Sequence, residues 1–102
     1  MDTDKLIDYI LEISSTKEGK SIQEMTLKCA EEVGELAQAV LSFTGARGCV
    51  YKEMKKEHVI EELADVVIVA LAMVAKVEIT KEEFKAEIER KLNKWLDKMD
   101  IK

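Results

Sequence analysis

The sequence predicts an all-α protein, a four-helix bundle. Prolines are absent and glycines number four. Apolar residues recur at helical period in four stretches, and no stretch of useful length alternates apolar with polar residues as a half-buried strand would. With 102 residues, 47% hydrophobic and 36% charged, residues 1–102 suit one domain with one modest core.

The first helix is expected over roughly Asp4 to Ser14, with Leu6, Ile10 and Ile13 on one stripe, and the polar stretch SSTKEGK ends it. A second begins at Ser21, where Ser21 and Glu24 form a capping box, and runs to about Thr44. Glycines in GARG then break the chain, and the connector GARGCVYKEMK carries Arg47, Lys52 and Lys55. The third helix spans about Lys56 to Val77. Thr80 and Glu83 cap a fourth, on which Phe84, Ile88, Leu92, Trp95 and Met99 recur at helical spacing toward the C-terminus.

The third helix is apolar around its whole circumference from Val66 to Ala75, so it demands cover on nearly all sides. Three neighbours in so small a bundle do not suffice. A second subunit is therefore expected, with a homodimer as the minimum.

Charge excludes several classes of partner. Sixteen Lys and Arg face 21 Asp and Glu, a formal charge of -5, which leaves no basic excess for a nucleic-acid polymer. The ten-residue apolar run is far short of a membrane span. The N-terminal segment MDTDKLIDYI lacks the apolar core of a secretory signal. Two cysteines, Cys29 and Cys49, form neither a metal motif nor a disulfide framework. A cytoplasmic location is the reading that fits.

The informative pattern is acidic and occurs twice. The second helix reads Glu31-Glu32-Val33-Gly34-Glu35 and the third reads Glu61-Glu62-Leu63-Ala64-Asp65. At about 100° per residue, Glu32 and Glu35 lie about 60° apart, and Glu62 and Asp65 repeat that geometry. Met25, Cys29, Leu36 and Phe43 project near Glu32, and Val59, Val66, Val69 and Met73 near Glu62, so both helices drive acids toward their packing faces. Buried carboxylates repel one another unless something positive sits among them. An all-oxygen set without Cys or His suits a hard cation, Mg²⁺ or Mn²⁺, rather than zinc. Setting these four acids aside takes the formal charge from -5 to -1. Solvated helix faces rich in glutamate are the bland alternative; the duplication on two apolar faces favours the metal.

Glu31-Glu32-x-x-Glu35, followed after 26 residues by Glu62-x-x-Asp65, resembles the signature of the MazG-like all-alpha nucleoside triphosphate pyrophosphohydrolases. The strings EEVGELAQAV and VIEELADVVIVAL resemble that family too. The resemblance implies a Mg²⁺-dependent enzyme that converts a nucleoside or deoxynucleoside triphosphate into monophosphate and pyrophosphate, acting as a dimer or tetramer. Carried over, Glu32, Glu35, Glu62 and Asp65 are the metal ligands, with Glu31 and Glu61 in support. Metal ions would polarise phosphoryl oxygens and activate a water for attack at the α-phosphorus, and Glu35 is the preferred acceptor of that water's proton.

Lys91, Lys94 and Lys98 border the stripe of the fourth helix. Lys91 and Lys94 are candidates to grip phosphate, against the plainer reading of snorkelling side chains. Lys28, one turn before Glu32, is either a phosphate contact or the partner of a carboxylate. His58 reads as a solvated first-turn residue and Cys29 as a small core residue. Gly34 permits close helix approach or leaves room for ligand. Trp95 reads as core rather than as a stacking platform, and Tyr9, Phe43 and Tyr51 are the other aromatics available to a base. The connector lacks the spacing of a P-loop. A ferritin-like di-metal protein would need Glu-x-x-His pairs, which the single histidine cannot supply. An inert helical interaction module would need the acids to be dispensable.

Overall fold

The computed structural model describes residues 1–46 and 54–100. Among these there is no strand, and the chain forms four α-helices: α1 (Thr3–Thr16), α2 (Ile22–Phe43), α3 (Lys56–Lys76) and α4 (Lys81–Lys98). Arg47, Cys49, Tyr51 and Lys52 of the expected connector lie outside the described residues.

The helix ends follow from local chemistry. The Asp2 carboxylate accepts from the Lys5 amide at 2.9 Å and opens α1 at Thr3, one residue earlier than expected. Ser21 with Glu24 and Thr80 with Glu83 form the two anticipated capping boxes of α2 and α4. At the other end of α2, Gly45 adopts φ 74°. There the Ala46 and Gly45 amides donate to Leu41 and Ser42, a Schellman closure that needs a left-handed residue. The turn after α3 places Glu78 at φ 59°, without glycine's freedom.

Helix α3 is the central element, packing against α2 on one side and α1 on the other. The Ser14 hydroxyl, 1% exposed, donates to the Ala72 carbonyl at 2.6 Å and ties α1 to α3. The Lys76 ammonium donates to the Glu18 carbonyl and fixes the α1–α2 connector. Helices α2 and α3 run antiparallel: the Met54 amide donates to Ser42 Oγ at 3.0 Å at one end, and Glu32 approaches Glu62 further along.

Helix α4 differs from expectation. It contains no buried residue, and Trp95 is 61% exposed rather than core. Ile88, Leu92 and Met99 are exposed with it. Lys81 holds its first turn to α1 through Asp8 at 2.9 Å and Asp4 at 3.4 Å. Within one chain the packed core is therefore three-helical, and the fourth amphipathic stripe stays open. The apolar run of α3 is likewise incompletely covered, since Val67 and Ile68 are about half exposed. No helix of the described residues is long and apolar enough to cross a membrane.

Candidate metal centre

Helix α2 turns Met25, Glu32 and Ala39 inward, and all three are buried. Their spacing of seven residues is two helical turns, so a carboxylate occupies the middle of an apolar stripe. Glu62 is half-buried on the facing side of α3. Glu35, one turn beyond Glu32, closes the group from the exposed edge.

Each of Glu32, Glu35 and Glu62 offers a carboxylate oxygen, and these atoms lie within 4.8 Å of one another. Glu32 Oε2 and Glu62 Oε2 are buried with no hydrogen-bond partner. A buried anion oxygen without a partner carries an unrelieved desolvation cost. Glu32 Oε1 is better placed, 3.0 Å from Lys28 Nζ, and the same ammonium stands 3.6 Å from Glu31. The hydrogen bond to Glu32, and then the charge of Glu31, push the Lys28 pKa up from its ordinary value. Glu35 shifts upward: the charge of Glu32 comes first, then desolvation, then Glu62. One cation cannot neutralise this group, and two oxygens aim into it unsatisfied. The donor set is all oxygen and open on the Glu35 side, which fits a hard divalent ion that keeps some of its water.

Of the residues singled out in the sequence, the structure brings together Glu32, Glu35 and Glu62, with Lys28 and Glu31 beside them. Asp65 lies one turn past Glu62 on α3, half-buried, and is not part of the close group. Glu61 is exposed. Lys91 and Lys94 are exposed on α4 and form no ion pair with the three carboxylates among the described residues. His58 accepts from the Lys55 amide at 2.9 Å through Nδ1, which makes it a helix cap. Among the described residues Gly34 permits no close approach, because a Cβ there would meet none of their atoms within 4 Å. Of the two roles open to Lys28, the structure contains the i,i+4 ion pair with Glu32.

Fold and site together define an all-α protein with a carboxylate centre built between two antiparallel helices. The MazG nucleotide pyrophosphohydrolase domain matches residues 20–101, and the chain belongs to that family. The match takes in α2, α3 and α4 and leaves α1 outside it. No curated protein and no solved structure matches the chain.

Proposed function

We propose that the protein is a Mg²⁺-dependent nucleoside or deoxynucleoside triphosphate pyrophosphohydrolase that releases monophosphate and pyrophosphate. The observation that carries this reading is the pair of buried, unpartnered oxygens, Glu32 Oε2 and Glu62 Oε2, within a three-carboxylate group. Glu32, Glu35 and Glu62 would hold the cation, and Asp65, one turn beyond Glu62, is proposed to join them when the site is loaded. Mg²⁺, or Mn²⁺ in its place, supplies charge neutralisation and polarises phosphoryl oxygens.

The chain's own residues do the rest. Glu35, at the exposed edge, receives the proton of the water that attacks the α-phosphorus, while the bond to the bridging oxygen breaks and pyrophosphate leaves. Glu31 and Glu61 support from the positions before Glu32 and Glu62. Lys28 holds Glu32 in place and faces the incoming phosphates. Lys91 and Lys94 are proposed to grip the leaving pyrophosphate. We assign the activity to one domain over residues 1–102, working in the cytoplasm as a homodimer or homotetramer.

The test is a panel of ribo- and deoxynucleoside triphosphates incubated with Mg²⁺, with products separated. Monophosphate and pyrophosphate are expected. Diphosphate and orthophosphate would overturn the cleavage position, and no Mg²⁺-dependent product from any triphosphate would overturn the reading.

A further inference from the structure

Lys28 brings the positive charge that stands against the three-carboxylate group. Its ammonium is 3.0 Å from Glu32 Oε1 and 3.6 Å from Glu31 Oε1. Among the described residues no other lysine or arginine pairs with Glu32, Glu35 or Glu62. Helical spacing accounts for both contacts, because the residues three and four positions after Lys28 lie one turn on along the same side. Glu32 is thereby divided: Oε1 faces the ammonium, while Oε2 is buried and has no partner.

The two acceptors of Lys28 differ in their surroundings. The Glu32 side chain is buried in the apolar stripe, whereas that of Glu31 is 59% exposed and that of Lys28 itself 42%. An ammonium on a flexible four-carbon stem can turn from one to the other without any movement of the helix. Charge decides between them. In the metal-free protein the ammonium belongs against Glu32, where it relieves a desolvated anion. A divalent ion held by Oε2 of the same carboxylate sets two positive charges against that ammonium, and repulsion at such short range is strong where little water screens it. Glu31 is then the better partner.

We propose that Lys28 is a resident counter-cation that competes with the divalent ion for Glu32 and turns to Glu31 when the ion binds. The inference rests on the cation site of the proposed function and not on its cleavage chemistry. It makes Lys28 a positioning residue whose effect has a definite sign. Lys28 stabilises Glu32 in the metal-free protein and lowers the affinity of the site for metal, whereas a brace that only oriented Glu32 would raise that affinity. Turned to Glu31, the ammonium lies on the exposed side of α2 within reach of a phosphate, so metal loading prepares the phosphate contact.

Mn²⁺ titrations of the full chain, followed by electron paramagnetic resonance, test it. Lys28→Met keeps an apolar stem and removes the charge, and it should bind Mn²⁺ about tenfold more tightly than the wild type. Lys28→Arg, which keeps the charge, should bind no more tightly than the wild type. Glu31→Gln takes away the second acceptor and should weaken binding about threefold, a loss that shrinks when Lys28→Met is combined with it, because the two residues act together. In excess chelator Lys28→Met should melt below the wild type, and Mn²⁺ should raise its melting temperature by more. Should Lys28→Met fail to fold, Lys28→Gln, whose neutral amide still donates to Glu32, reads the same sign. Mn²⁺ affinity unchanged or weakened by the neutral variant, or an equal loss from Glu31→Gln in both backgrounds, would overturn the proposal and leave the metal centre standing. No Mn²⁺ binding by either the wild type or the neutral variant would overturn the metal centre and this proposal together.

Discussion

Replacing Glu62 by Gln should stabilise the metal-free protein, and the size of the effect follows from the geometry. The carboxylates of Glu32 and Glu62 present oxygens within 4.8 Å of each other. At that distance two unit charges repel by about 0.9 kcal/mol in water and about 3.5 kcal/mol at an effective dielectric constant of about 20. Glu32 is 6% exposed and Glu62 half-buried, so the pair lies between these limits, near 2 kcal/mol as a rough figure. The new amide can also donate to the orphaned Glu32 Oε2. Glu62→Gln in excess chelator should therefore melt higher, by on the order of 10 °C for a domain of this size. Adding Mg²⁺ reverses the order. A ligand at a hundred times its dissociation constant stabilises by about 2.7 kcal/mol, which the wild type gains and the variant forgoes. Thermal melts followed by circular dichroism, with and without Mg²⁺, read both arms. A variant that melts lower than the wild type in chelator, or gains as much from Mg²⁺, would refute the reasoning.

Other outcomes follow from the same structure. The raised pKa of Glu35 means that the folded state binds this proton more readily than the unfolded state. Its contribution to metal-free stability therefore falls as pH rises from the ordinary carboxylate value through the raised one, then stays constant. Proton competition should accordingly weaken Mg²⁺ binding at a higher pH than in Glu35→Gln, as titration calorimetry across the acid range would show. Ser14→Ala removes the buried hydrogen bond to Ala72 and should cost about 1 kcal/mol in urea unfolding. Glu78→Gly relieves the left-handed backbone after α3 and should gain about 1 kcal/mol by the same measurement. Lys91→Ala with Lys94→Ala should raise KM for triphosphate by about tenfold, the loss of a charge-assisted contact, with Mg²⁺ affinity unchanged.

Much of the fold was legible because its determinants are local. Ser21 with Glu24 and Thr80 with Glu83 mark helix starts through side-chain oxygens three residues from the amides they serve, and Gly45 marks a stop by its conformational freedom. The placement of Glu32 and Glu62 was legible for the same reason: helical periodicity alone puts each among apolar neighbours. What periodicity cannot tell is which surface covers an apolar stripe. Trp95 of α4 reads as core and shares its helical stripe with Ile88, Leu92 and Met99, yet in one chain these four are exposed, because a stripe of this period is satisfied equally by its own bundle or by another molecule. Asp65 repeats the spacing of Glu35 but stands outside the close group, since the translation and rotation of α3 against α2 decide which of two acids a turn apart meets Glu32. Ser14 gave no signal; its burial depends on the Ala72 carbonyl of a distant helix.

The proposed activity requires divalent cations to be bound by carboxylates of α2 and α3 together. Electron paramagnetic resonance of Mn²⁺ titrated into the wild type, Glu32→Gln and Glu62→Gln measures this without reference to catalysis. Saturable binding by the wild type, weakened at least about tenfold in either variant, is the predicted result. Equal Mn²⁺ affinity in all three proteins would contradict it.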